Sequence, residues 1–318
     1  MYFPVAGVEV NPLVPPLVAF VISLFTSMGG VSGAFLLLPF QVSMLGFTSP
    51  AVSSTNQLFN IVAIPSGVFR YIREGRMVWP LTWIVIIGTL PGVLVGAIVR
   101  IKYLPDPKHF KLFVGFVLLY IGGKLLKDLL FKKKEIGRSS TEERFQQQLK
   151  RQIQTKETSL PAPVAQLSRV TVQQWTFNRI VYDFCGETFT VNAIGVMALS
   201  LIVGMVGGVY GIGGGAIIAP FFVSFFGLPI YTVAGATLMG TLVTSVAGVI
   251  FYQILAPYYP GMVITPDWLL GLLFGVGGFA GMYCGARLQK FVPAKFIKWI
   301  LVLCLLSTAG KYIWPFLS

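Results

Sequence analysis

The chain has 318 residues, of which 55% are hydrophobic and 11% charged, with a mean hydropathy of +0.78. That composition excludes an ordinary soluble globular protein and describes one that passes through a bilayer several times. The formal net charge is +13. Its Lys and Arg residues cluster in loops beside apolar runs, so the charge reads first as a mark of cytoplasmic loops, second as attraction for anions at their mouth, and not as a nucleic-acid surface.

No Lys or Arg precedes Arg70, and Pro12, Pro15 and Pro16 announce a helix start, so the first apolar segment is expected to stay in the mature protein. That segment, Leu17 to Met28, is separated from a second, Ala34 to Leu45, by Gly29-Gly30-Val31-Ser32-Gly33. Far downstream, Ala193 to Val206 and Ala216 to Phe226 flank Gly207-Gly208-Val209-Tyr210-Gly211-Ile212-Gly213-Gly214-Gly215. A helix needs roughly 20 residues to cross a membrane. All four pieces fall short of that and read as half-helices joined by glycines. Six longer runs are expected to span or nearly so: Val52 to Phe69, Leu81 to Val99, Phe110 to Phe131, Tyr231 to Leu255, Trp268 to Ala286 and Phe296 to Ile313.

The pattern repeats. Pro39 matches Pro220, Gly67 and Tyr71 match Gly248 and Tyr252, and Gly88, Gly92, Gly96 and Ala97 match Gly277, Gly281, Gly285 and Ala286. The fold expected is all-α and polytopic, with two homologous repeats of about five hydrophobic segments each, at 1–131 and 191–318, around a polar insert at 132–190. Within the insert, Leu167 to Val191 alternates enough for a small hairpin with Cys185-Gly186-Glu187 as its turn, against a helix-and-coil linker. Arg70, Arg73, Arg76 and the basic insert point to the cytoplasm, as does the loop with Arg287, Lys290, Lys295 and Lys298. Ala256 to Asp267 has no basic residue. This asymmetry makes the halves inverted, which needs an odd number of crossings in each: five, or three with the short pair re-entrant. Arg100, Lys102, Lys108 and Lys111 run against the scheme.

Inside the membrane the chemistry is neutral. All eleven acidic residues lie in loops or near segment ends, which disfavours a cation or proton relay. An anion can instead be held by unpaired N–H groups at helix starts. Candidate substrate-binding residues are Ser32 and Gly33 at one start, Gly213, Gly214 and Gly215 at the other, Ser54, Thr55, Asn56 and Gln57 on the following helix, and Thr237 and Thr241 in the second half. Close packing of glycines is the competing reading for the clusters, and back-bonding to the helix for the Ser and Thr hydroxyls. Asn56 and Gln57 are the sharper signal, because an amide in lipid without partners costs several kcal/mol. Cys185, Cys284 and Cys304 show no metal spacing, His109 is the only histidine, and Gly211 to Ala216 spells a dinucleotide fingerprint without its acidic partner. No cofactor and no enzymatic site are expected.

The string GGVYGIGGGAIIAPFF at Gly207 to Phe222, the polar start at Ser54 to Asn56 with Thr237, and PSGVFRYIREGRMVWP at Pro65 to Pro80 resemble the sulfite exporter TauE/SafE family of bacterial permeases, from about Leu17 to Tyr312. The resemblance implies a multi-pass permease of the bacterial cytoplasmic membrane exporting sulfite, sulfoacetate or other organosulfonates. Its partners would be a small anion and the lipid bilayer, with no nucleic acid; homo-oligomerisation stays open. The alternative is a carrier or channel for a metal cation or neutral solute.

Overall fold

A computed structural model describes residues 1–28, 31–130, 169–288 and 294–317. Gly29, Gly30 and the insert up to residue 168 lie outside the described residues. A short amino-terminal hairpin, β1 (Tyr2–Phe3) with β2 (Val8–Glu9), leads into helices α1 (Val14–Met28), α2 (Ala34–Ser43), α3 (Ala51–Ala63), α4 (Pro65–Arg73), α5 (Trp79–Lys102) and α6 (Pro107–Leu130). After the insert come strands β3 (Thr171–Trp175), β4 (Arg179–Phe184) and β5 (Glu187–Asn192). Helices α7 (Ala193–Tyr210), α8 (Ala219–Phe225), α9 (Ile230–Leu255), α10 (Trp268–Leu288) and α11 (Ala294–Leu317) complete the chain. Six helices among the described residues are long and apolar enough to cross a membrane, and the protein is a multi-pass membrane protein.

Three expectations change. The run Val52 to Phe69 is not one helix: the chain breaks between α3 and α4 at Ile64, because Pro65 has no N–H to continue the ladder and starts α4 instead. Ala193 to Val206 is not a half-helix; Gly207 and Gly208 stay helical and extend α7 to 18 residues, about 27 Å. The glycines 213–215 do not head the next helix directly. A stretch of turns runs to Ile218, and α8 follows with only 7 residues.

Glycine registers give the helix directions. Gly88, Gly92 and Gly96 of α5 meet, in the same order, Ser200, Leu201 with Gly204, and Met205 with Val209 of α7, so these helices run parallel. Gly277, Gly281 and Gly285 of α10 meet Pro16, Phe20 and Leu24 of α1, also parallel. In each seam backbone lies on backbone: a Cβ on Gly92 would enter the Leu201 carbonyl oxygen, and one on Gly281 that of Phe20. Small residues are what allow such approach inside a bilayer. Gly271 and Gly275 of α10 pack on Leu58 and Val62 of α3, again in parallel, and Gly240 of α9 packs on Val85 of α5. Where the groups meet, the order reverses: Gln57 faces Gly248, Asn60 bonds to Ser245, and Gly67 faces Leu238, so α3 and α4 run antiparallel to α9. One group is thus α1, α3 and α10; the other is α5, α7 and α9. Because α1 and α3 share a direction, as do α7 and α9, short α2 and α8 must carry the chain back between them.

The insert ends in an antiparallel meander ordered β3-β4-β5, one strand more than the expected hairpin. The β4–β5 turn is Cys185-Gly186 with φ of 53° and 79°, the positive pair a tight I′ hairpin requires. The sheet is tied to the helices by the Tyr182 hydroxyl on Thr232 Oγ1 at 2.9 Å and by Val170 N–H on the Gly75 carbonyl. Burial pushes the Tyr182 phenol above its ordinary range.

Candidate functional site

Helix α3 is the centre. Ser53, Ser54, Thr55, Asn56, Gln57 and Asn60 are all fully buried, although their polarity would favour water. They stay inside because α2, α9 and α10 enclose the helix and offer hydrogen bonds that lipid cannot.

Asn56 reaches both interrupted segments. Its Nδ2 donates to the Ala34 carbonyl at the start of α2, 3.0 Å, and to the Gly211 carbonyl at the end of α7, 3.1 Å; its Oδ1 accepts from Gln41 Nε2 at 3.2 Å. One turn on, Asn60 does the same. Its Oδ1 accepts from Ser32 Oγ at 2.6 Å, while Nδ2 donates to the Ile212 carbonyl at 2.9 Å and to Ser245 Oγ at 3.2 Å. Two amides on one face of α3 therefore fasten the break after α1 to the break after α7. Tyr210 adds a third link, its hydroxyl donating to the Phe35 carbonyl at 2.7 Å.

The other candidates divide. Gly33 is the N-cap of α2 and lies tight against Ser23 and Phe59. Gly211 and Gly213 adopt φ of 78° and 79°, a region in which side chains other than glycine are strained. Gly214 donates its N–H to Thr244 Oγ1 at 3.0 Å, and Gly215 is pressed on the Thr237 carbonyl. Thr237 and Thr241 reach the same place, but their hydroxyls donate back to the Ala234 and Thr237 carbonyls, which is the back-bonding alternative. Ser54 and Thr55 turn away from the breaks: Ser54 Oγ donates to the Ile264 carbonyl and Thr55 Oγ1 accepts from Asp267 N–H, fastening the 256–267 loop. Gln57 alone is left over. Both its amide atoms are buried without a hydrogen-bond partner, as is Gln41 Oε1, a condition that costs about 1–3 kcal/mol per group.

Sequence reasoning missed Asn60 and Gln41. Asn60 had a usable signal, since it sits i+4 from Asn56 on the same helical face; Gln41, a lone amide in an apolar stretch, had only its polarity.

Charge is scarce near these residues. Asp267 is buried, yet it caps α10, accepting from Leu270 N–H, and also accepts from Ala6 N–H. Among the described residues no group of three or more His, Cys, Asp or Glu is placed to hold a metal. On the face where α4 ends, a separate cleft of about 350 Å³ is lined by Arg73, Trp79 and Arg169. Beside it, burial raises the Glu74 pKa, but Arg76 and Arg70, both bonded to it, outweigh that and hold its carboxyl below the usual range.

A family model described as sulfite exporter TauE/SafE matches residues 16–312, which takes in both interrupted segments and all of α3. The chain belongs to the sulfite exporter TauE/SafE family. No curated protein and no solved structure matches. As a TauE/SafE chain the protein is a transporter rather than an enzyme, and its family points to membrane transport of sulfur anions such as sulfite. The matched span covers the helix seams, the meander and the amides of α3.

Proposed function

We propose that this TauE/SafE protein exports sulfite, sulfoacetate or a related small organosulfonate across a bacterial cytoplasmic membrane. The anion passes through a midplane site between two inverted repeats, 1–131 and 191–318, with 132–190 as a cytoplasmic insert. The observation that carries this reading is the join made by Asn56 and Asn60 between the two breaks, with the orphaned Gln57 amide on the same helix. Neutral donors suit a dehydrating anion, and the start of α2 lies beside them. No carboxylate stands among them to attract a cation.

The opposed directions of α3 and α9, and of their matching seams, support inversion. Short α2 and α8, by returning the chain after α1 and α7, give each half the odd count that inversion needs. In that arrangement Arg70, Arg73 and Arg76 share a face with the meander, and the 256–267 loop, which has no Lys or Arg, lies opposite, in accord with the positive-inside rule. Since all the α3 polar residues are sealed from solvent, export requires the two groups of helices to rock apart on alternate sides. A potential negative inside favours anion loss by roughly 2.3 kcal/mol per charge per 100 mV, so no coupling carboxylate is needed.

The test is flux of labelled sulfite and of sulfoacetate from proteoliposomes with the potential clamped by potassium and valinomycin. Efflux that grows with a negative interior, and is lost in Asn56→Ala with protein yield unchanged, is expected. Uptake of a metal cation driven by the same potential, with no anion flux, would overturn the reading.

A further inference from the structure

Arg100 is fully buried at the end of α5. Its two terminal nitrogens donate to the carbonyls of Leu104 and Thr48, and its guanidinium lies 3.8 Å from the centre of the Phe110 ring. None of the ion pairs among the described residues includes it. An intramembrane cation held without a counter-charge is a functional feature before it is a structural one.

Its surroundings share the deficit. Arg100 Nε has no partner, nor does the buried hydroxyl of Ser49 just before α3; those of Tyr252 on α9 and Ser53 on α3 have none but each other. Tyr252 is within electrostatic reach of Arg100, and whichever of the Tyr252 and Ser53 hydroxyls donates to the other, one hydroxyl hydrogen is left unused. Ser49 adjoins the Thr48 carbonyl that accepts the Arg100 hydrogen bond. Every one of these unused atoms can donate, and the guanidinium can do nothing else. Unsatisfied donors around one buried cation call for an acceptor-rich anion.

We propose that Arg100, Tyr252, Ser53 and Ser49 form a second binding station for a small oxyanion, on the side of the midplane where α5 and α9 end. This rests on the reading of the protein as an anion exporter and extends it. Gly211 packs directly on the Ser53 backbone, and Gln57 is one turn further along α3. An anion leaving the midplane therefore follows α3 to Ser53 and meets the guanidinium before it reaches the outer loops. A pyramidal or tetrahedral oxyanion supplies acceptors in several directions at once, which a neutral solute does not, and a metal cation is repelled.

The experiment uses the full chain in oriented proteoliposomes, with sulfite as probe on the face carrying the 256–267 loop. Two quantities are read: the sulfite concentration on that face that halves efflux, and the rise in melting temperature sulfite gives the purified protein. Tyr252→Phe and Ser53→Ala each remove one hydroxyl that faces only the other's, and are expected to fold normally. Each should raise the half-inhibiting concentration about tenfold, the loss of one hydrogen bond to a charged group, and shrink the thermal rise. Arg100→Gln should abolish both. If wild type exports sulfite while Tyr252→Phe and Ser53→Ala keep the wild-type half-inhibiting concentration, the station is wrong and the exporter reading stands. If wild type exports no sulfite and sulfite gives no thermal rise, both fall together.

Discussion

Replacing Asn60 with alanine tests how the two breaks are held together. Three hydrogen bonds disappear, to Ser32, Ile212 and Ser245, and the Ile212 carbonyl is left buried with nothing in its place. At about 0.6 kcal/mol each, the average for such bonds between membrane helices, the loss is about 2 kcal/mol; orphaned groups valued as in soluble proteins, about 1–3 kcal/mol each, set an upper end of several kcal/mol. Packing adds little beyond the side chain's own small volume. Stability is read from reversible unfolding in mixed micelles with increasing dodecyl sulfate, and sulfite flux is measured on the same preparation. Asn60→Ala is expected to lower the unfolding free energy by about 2–4 kcal/mol and to reduce flux more than Ser245→Ala does, since Ser245 takes part in one of the three bonds. A variant with wild-type unfolding and wild-type flux would show that the amide does not join the breaks.

Gln57→Leu points the other way: with both amide atoms unpartnered, stability should hold or rise by about 1 kcal/mol while flux falls, the trade of a site kept unsatisfied for function. Thermal melting and sulfite efflux compared on one sample check it. Gly92→Ala and Gly281→Ala should each cost about 1–3 kcal/mol or prevent folding, because the new methyl meets backbone across a seam. Gly123→Ala, with open space around it, should be neutral; size-exclusion profiles of the three separate the cases. For Glu74 the lowered carboxyl pKa means its stabilising contribution is present at neutral pH and fades as pH falls through that depressed value. Glu74→Gln should flatten the acid limb of a melting-temperature profile, modestly, because the pair is partly exposed.

The sequence shows some of this plainly and some not at all. Asn56 and Gln57 stand out because an amide has no business in an apolar helix, and the structure buries both. Gly88, Gly92 and Gly96 with their counterparts from Gly277 are legible as a repeat, yet their task is not: each set packs on the first helix of the opposite half, and no local pattern names a partner so distant. The end of α7 was hidden because Gly207 and Gly208 look like breakers, whereas Gly208 lies on the Val93 backbone and Gly207 on Gly213, contacts that hold them in the helix. Strand β3 lies in the alternating run from Leu167, yet it is exposed along its whole length, so its side chains do not show the buried and exposed sides that β4 has. Arg100 reads as one more loop cation and is in fact buried at the end of α5.

The crossed seams also govern how the protein is made. Pro16 and Phe20 leave the ribosome early, but the glycines that fit them, Gly277 and Gly281, are translated only near the end. Until then α1 presents its groove-facing backbone to lipid or to whatever chaperones the membrane supplies, and α5 waits likewise for α7. Neither half can finish as an independent unit, so separately expressed halves should be unstable alone and recover only when they are produced together.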